Sequence, residues 1–351
     1  MVIGAGQITT PPHYLRRISR AFHTHDLIHS LDATNSLAWY SIDHPLAGQH
    51  SVEQYREAIR SEPLLAGFIF IETDRKNDLE SGIANGSGWR DPPDEVSWIR
   101  RVALGQPRDS EGHSTNDAKI GDAVMKQYIH CVQEAAGEAW PKIKGFRYLL
   151  QDKPRSTMLE ENFVESVKLL GHHGFTFEVC VDQHRRWKKQ LDDLIEFIER
   201  VHDGVPEDEK TILVMDHLCK PYLSNFSSTS DSAFAAWCTT MHIIGRDSHT
   251  YVKLSGGFSE MADSVNGLST NQISGSLQPW FGVIIAAIGP SRIMFGSDWP
   301  VCTIGNKNAW LRWLNIVSDL CSRGGLSNSE QAMILSGTAR KAYRLNPSTL
   351  N

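Results

Sequence analysis

The feature that most restricts this chain is an unbroken alternation of short apolar runs with longer amphipathic segments. Phe175 to Val181, Thr211 to Asp216 (TILVMD), Tyr251 to Leu254 (YVKL) and Arg292 to Phe295 have strand length, and the stretches between them are long enough for crossover helices. In Trp187 to His202, Leu191, Leu194, Ile195, Ile198 and Val201 recur at helical spacing, and Gly204 supplies the stop. Leu159 to Leu170 repeats the pattern with Phe163, Val164, Val167 and Leu170. Upstream, Lys144 to Gln151 and Phe68 to Ile71 read as strands, Val124 to Val132 as a weaker one, and Ser51 to Arg60 as a capped helix. Near the end, Ser327 and Glu330 form an S-x-x-E capping box that opens a helix toward Arg344. With a first strand before His23 the count reaches eight. Strand–helix repeats of this kind predict an α/β class, specifically a (β/α)8 TIM barrel. A doubly wound sheet would ask for G-x-G-x-x-G after the first strand, and none occurs there.

No shift in composition marks a linker, so the expected organisation is a single barrel domain over residues 21–351 behind an N-terminal extension, residues 1–20. Residues 76–118 are polar and rich in Gly, Pro, Asp and Ser, and read as a long loop insertion with one short helix near Val96 to Ala103. A net charge of -6 gives no footprint for nucleic acid or an anionic membrane, and no run of eighteen apolar residues could span a bilayer. The cysteines at 131, 180, 219, 238, 302 and 321 form no CxxC pair, which argues for free thiols in a reducing, cytoplasmic setting. Arg16, Arg17 and Arg20 with no acid before Asp26 offer a weaker mitochondrial alternative. Oligomeric state is left open.

Barrels keep their chemistry at the C-terminal ends of their strands. Those ends carry Glu72, Arg147 with Gln151, Cys180 with Asp182 and His184, Asp216 with His217, Lys253 with Ser255, and Asp298. In VMDHLCKP, His217 follows an apolar strand directly, where an imidazole can bind metal, polarise a carbonyl, or simply be satisfied by a backbone carbonyl. Asp298, in RIMFGSDWPVC, is either a strand-end acid or the cap of the following turn. Arg147 and Lys253 offer cations for a substrate carboxylate or hydroxyl, or else an ion pair inside the barrel with Glu72 or Asp216. Trp299 can stack on a sugar face or pack in the core.

GFRYLLQDKP, FEVCVDQ, VMDHLCKP, TYVKLSGGFSE and RIMFGSDWPVC, in that order, resemble the amidohydrolase-2 branch of the amidohydrolase superfamily, specifically its L-rhamnonolactonase- and L-fuconolactonase-like lactone hydrolases. LAWYSIDHPLAGQHSVEQY and FIFIETDR also match, so the resemblance runs over roughly residues 37–345. It implies a reaction centre made by a first-strand H-x-H pair, a sixth-strand histidine and the eighth-strand aspartate, here His23 and His25, His217, and Asp298. The family's first motif is Asp-x-His-x-His, whereas Ala21 stands in the aspartate's place and His25 with His29 forms a competing pair. A binuclear centre would need a lysine at the fourth strand's mouth, where this chain has Arg147 and Gln151. The resemblance therefore implies at most one divalent metal, zinc on His23, His25 and Asp298, with metal-free catalysis as the alternative.

The expected activity is hydrolysis of the lactone of a sugar acid or related carboxylic acid, a small-molecule substrate. Asp298 is the base, His217, His23 and His25 polarise the carbonyl, and Arg147, Gln151, Lys253, Glu72 and Trp299 bind substrate. Two competitors share the barrel: a non-oxidative decarboxylase of an aromatic acid, and a catalytically degenerate small-molecule binder. A Ser-His-Asp hydrolase has little support, since no G-x-S-x-G elbow occurs. Ring size and stereochemistry would depend on the loops at 76–118 and 258–280.

Overall fold

The computed structural model describes residues 2–7, 20–25, 43–46, 50, 52–60, 65–71, 75–104, 124–186, 188–223, 229–261, 265 and 267–345. Eight strands form one sheet: β1 (Val2–Gln7), β2 (Arg20–His25), β3 (Leu65–Ile71), β4 (Ile143–Leu149), β5 (Thr176–Cys180), β6 (Ile212–Met215), β7 (Thr250–Leu254) and β8 (Ile293–Phe295). Their spatial order is β2-β3-β1-β4-β5-β6-β7-β8. Every pairing that does not involve β1 is parallel. β1 lies antiparallel between β3 and β4, so part of the stretch read as an extension supplies a strand of the sheet. The two edge strands, β2 and β8, both pack against the segment Met333–Gly337, which brings the sheet's edges to one element.

Strand side chains alternate between faces, and the two core clusters follow that alternation. Phe146, Phe177, Val179, Leu213, Met215, Val252, Leu254, Ile293 and Phe295 pack outward among the helices. Ile69, Ile71, Ile212, Val214, Tyr251 and Met294 form a second cluster, joined by Ala339, Ala342, Tyr343 and Leu345 from the chain's end. Arg147, Glu178 and Lys253 share the parity of this inner set, and the parallel register aligns Arg147 with Glu178 and Glu178 with Val214. The inner face is thus where charge enters the core.

Three stretches differ from the sequence reading. Val124–Ala136 is a helix, not a strand, because Ile129, Val132 and Ala136 recur at three- and four-residue spacing and bury together. The insertion at 76–118 contains the helices Leu79–Asn85 and Asp91–Ala103, the first capped by the Asp78 side chain on the Ser81 amide at 2.6 Å. Within 258–280, Thr270–Ala287 is helical; Ser269 and Gln272 make its capping box, and Ile273, Leu277, Trp280, Phe281 and Ile284 bury one face. The Ser327–Glu330 box does open a helix, at Asn328. All six cysteines are free, and no described helix is long and apolar enough to cross a membrane.

Gly145 sets how closely β4 approaches β5, since a Cβ there would meet the Thr176 carbonyl oxygen at 2.2 Å. Gly145→Ala is expected to lower the unfolding free energy by about 1–3 kcal/mol in a urea titration. Unchanged stability would show that this contact can relax.

Candidate active site

The mouth of the sheet is built around an irregular turn. After β6, His217, Leu218, Cys219 and Lys220 all take left-handed conformations, with φ of 51°, 57°, 60° and 47°. None is glycine, and each such residue costs about 1–2 kcal/mol relative to right-handed backbone. The turn persists because its surroundings over-determine it. Trp237 Nε1–H donates to the Leu218 carbonyl at 2.8 Å, the Lys220 amide donates to the His217 carbonyl at 2.8 Å, and the His184 amide donates to the Lys220 carbonyl at 3.0 Å. On the imidazole, Nδ1 meets Ser255 Oγ at 2.9 Å. Gly256, at φ 67°, makes room for the ring, because a Cβ there would lie 2.6 Å from His217 Cγ and Nδ1.

The other ring nitrogen, Nε2, is 3.7 Å from Asp298 Oδ1. Asp298 also has a left-handed backbone, φ 57°, which aspartate tolerates better than most residues. Main-chain bonds close its turn, from the Cys302 amide to the Asp298 carbonyl at 2.8 Å and from the Thr303 amide to the Pro300 carbonyl at 2.8 Å. Ser297 Oγ accepts from the Trp299 amide at 3.3 Å. The Asp298 carboxyl faces His217.

Burial decides the protonation of this pair. It pushes the Asp298 carboxyl up to about 7, against the pull of Lys220 and Arg147. His217 is held well below its ordinary value, by burial first and then by the Lys220, Arg147 and Lys253 cations, despite the opposing Asp216 charge. A neutral imidazole therefore faces a carboxyl poised near neutrality.

Behind them runs a buried ion network. Arg147 Nε lies 3.0 Å from Asp216 Oδ2, and Lys253 Nζ lies 3.0 Å from Asp216 Oδ1 and 2.5 Å from Glu178 Oε2. The Tyr343 hydroxyl donates to Glu178 Oε1 at 2.5 Å. Burial works to raise the Asp216 carboxyl, but Lys253 and Arg147 outweigh it and hold it well below the usual carboxylate range. Glu178 moves the other way, with burial outweighing Lys253.

Metal fit follows from the same chemistry. Cys180, Asp216 and His217 bring ligand atoms within 4.8 Å of one another. That trio suits a cation poorly, because Asp216 is already matched to two cations and burial keeps the Cys180 thiol protonated. Asp298 is the better ligand, a buried carboxylate whose charge a divalent ion would stabilise.

A family model described as Amidohydrolase matches residues 104–345. The chain belongs to the amidohydrolase family. An L-rhamnono-gamma-lactonase of Scheffersomyces stipitis is 30% identical over 342 residues, covering 92% of this chain and 98% of that protein. An L-fucono-1,5-lactonase of Burkholderia multivorans is 32% identical over 238 residues, 66% of this chain and 73% of the relative. Among solved structures, a zinc-bound amidohydrolase from Burkholderia multivorans has a TM-score of 0.65 at 23% identity, covering 93% of this chain and 100% of that one; the likeness identifies the shared barrel fold.

Of the residues that the family resemblance marks, the structure brings His217 and Asp298 together. His23 and His25 lie on β2, in register with Ile69 and Ile71, and their side chains, like Glu72 and His29, lie outside the described residues. Arg147 and Lys253 are engaged with Asp216. Gln151 sits on the turn after β4, where its Oε1 accepts from the Cys180 thiol at 3.4 Å. Trp299 is buried, 5.3 Å from the Tyr55 ring and 5.7 Å from His50. Sequence reasoning passed over Glu178, Tyr343 and Glu260. Inward parity of Glu178 on a buried strand was the available signal for the first, and Glu260 closes the motif that follows β7; Tyr343 comes from a distant segment and gave none.

Lys253→Met would leave Glu178 and Asp216 with Arg147 as their remaining cation within the network. The expected cost is about 3–5 kcal/mol in unfolding free energy. Lys253→Met combined with Glu178→Gln should recover part of it in the same denaturation assay; a double variant as unstable as the sum of the singles would show that the two groups are not coupled.

Proposed function

We propose that this chain hydrolyses the lactone of a sugar acid, opening the ring by base-assisted attack of water. The observation that carries the reading is the facing pair at the strand mouth, His217 Nε2 and Asp298 Oδ1 at 3.7 Å, with the base poised near neutral pH. The lactonase names of its relatives supply the substrate class. A general base works best when its pKa lies near the operating pH.

In this reading the Asp298 carboxylate takes a proton as water oxygen bonds to the ring carbonyl carbon. With Ser255 Oγ–H as the donor across its 2.9 Å contact with His217 Nδ1, Nε2 would carry the proton and stabilise the developing oxyanion. Collapse of the tetrahedral species breaks the bond from acyl carbon to ring oxygen. The proton held by Asp298 passes to that oxygen, releasing a hydroxy acid and restoring the base. His23 and His25, carried on β2, are the proposed second source of polarisation, and with Asp298 the proposed holders of one divalent ion. A bound zinc would act there as a Lewis acid on the carbonyl. Arg147, Gln151, Lys253 and Trp299 contribute by shaping and charging the pocket. A cytoplasmic location remains part of the proposal.

The test is proton release from a panel of aldonolactones, with carbon dioxide release from hydroxybenzoates as the contrast. Acid release with no decarboxylation is expected; decarboxylation without lactone opening would overturn the reading. Asp298→Asn should lower kcat by about 10²–10⁴-fold.

Only the carboxylate form of Asp298 accepts a proton. With chelator-treated protein, kcat/KM should therefore rise as pH increases through about 7 and level off above it. A profile flat from pH 5 to 9 would remove Asp298 from the role of base.

A further inference from the structure

Beyond the reacting pair, a graded polar wall climbs from the floor of the mouth to its rim. Lys220 ends the left-handed turn, and its charge, like that of Glu260, reaches the Asp298 carboxyl. Both are deeply placed: the Lys220 side chain is 13% exposed and that of Glu260 6%. Lys220 Nζ lies 3.9 Å from Glu260 Oε1, too far for a hydrogen bond, while His184 Nδ1 binds Glu260 Oε2 at 2.8 Å. His184 is 29% exposed, and its ring meets Tyr222 edge-on at a centroid distance of 4.9 Å.

These groups come from three loops, those after β5, β6 and β7, and the His184 amide ties the first of them to the Lys220 carbonyl. The helix Gly257–Glu260 packs against the turn Val301–Thr303 that follows β8. At the outer end stand Tyr222 and Ile304, the two large hydrophobic side chains most exposed among the described residues. The surface therefore changes from carboxylate and ammonium inside to aromatic and aliphatic outside.

A carboxylate accepts hydrogen bonds, an ammonium donates three, and an aromatic ring covers apolar C–H surface. That combination matches a carbon chain whose successive atoms bear hydroxyls. We infer that Glu260, Lys220, His184 and Tyr222 form a hydroxyl-reading subsite that receives the polyol portion of the substrate while its ring carbonyl lies at Asp298. The inference rests on the proposed lactone hydrolysis, and assigns to these four residues the discrimination between hydroxylated and plain rings. Glu260 is the pivot, because it touches His184 and lies next to Lys220. Burial raises its carboxyl, with the Lys220 charge and the His184 hydrogen bond opposing.

The experiment compares a polyhydroxylated aldonolactone with δ-valerolactone, using the intact chain, Glu260→Gln and Tyr222→Ala. Loss of a hydrogen bond to a charged group should lower the ratio of the two kcat/KM values roughly tenfold or more in Glu260→Gln, chiefly through KM on the hydroxylated ring. Tyr222→Ala, an exposed position, should move the ratio the same way by less. An equal loss on both rings, or a fall in kcat alone, would overturn the inference. If the unaltered chain opens no lactone, the fault lies with the proposed function, and calorimetry with a linear aldonate tests the subsite by itself. Binding that weakens about tenfold in Glu260→Gln supports the wall; equal binding, or none to the unaltered chain, overturns it.

Discussion

The arrangement depends on a buried charge balance in which Arg147 and Lys253 are set against Asp216 and Glu178. Moving any one of these groups out of water is costly, and their mutual attraction offsets that cost only while all remain in place. Strand parity sends the charges inward, and the parallel register puts them at adjacent heights. Tyr343 closes the set from the far end of the chain, so the C-terminal segment and the strand core are held by one network. His217 follows Asp216 directly. Fixing Asp216 on two cations fixes where the strained turn begins, and so where the imidazole can stand.

The turn then concentrates strain at the reacting end of the sheet. Four successive left-handed residues and a left-handed Asp298 would be unfavourable in an isolated peptide. Trp237, Ser255 and Gly256 each remove one alternative: a different carbonyl direction, a different ring rotation, a different ring position. Packing energy from fully buried side chains such as Trp237 holds a geometry that local propensity opposes.

Much of this architecture was legible in the chain. Strands from β4 to β8 and the helices Glu161–His172 and Lys188–His202 follow from apolar runs and helical periodicity, and the strand ends named most of the polar groups at the mouth. What stayed hidden has physical causes. Val124–Ala136 carries Val124, Tyr128, Ile129 and Val132, types that favour strands, and only its longer spacing marks a helix. The left-handed turn carries no glycine or asparagine to announce it. The antiparallel entry of β1 into a parallel sheet depends on long-range pairing, which no local pattern encodes. The open choice for Arg147 and Lys253, substrate or ion pair, turned on which carboxylate came within reach, a tertiary fact.

Two aspartates at the same mouth show how environment divides roles between identical side chains. Asp216 has a cation on each oxygen and stays ionised; it is a fixed anion that positions and cannot usefully exchange a proton. Asp298 faces an imidazole that burial keeps neutral, and burial outweighs the pull of Lys220 and Arg147, so its carboxyl is pushed up to about 7. Exchanging the two environments would abolish the base without moving it. The same reasoning separates chemistry from recognition: the strand-borne network sets protonation at the floor, while the loops after β5, β6 and β7 supply the groups that a substrate's hydroxyls would meet. Substitution at Tyr222 in those loops can therefore alter which ring is accepted without changing the charges around Asp298, whereas Lys220 and Glu260 act on both.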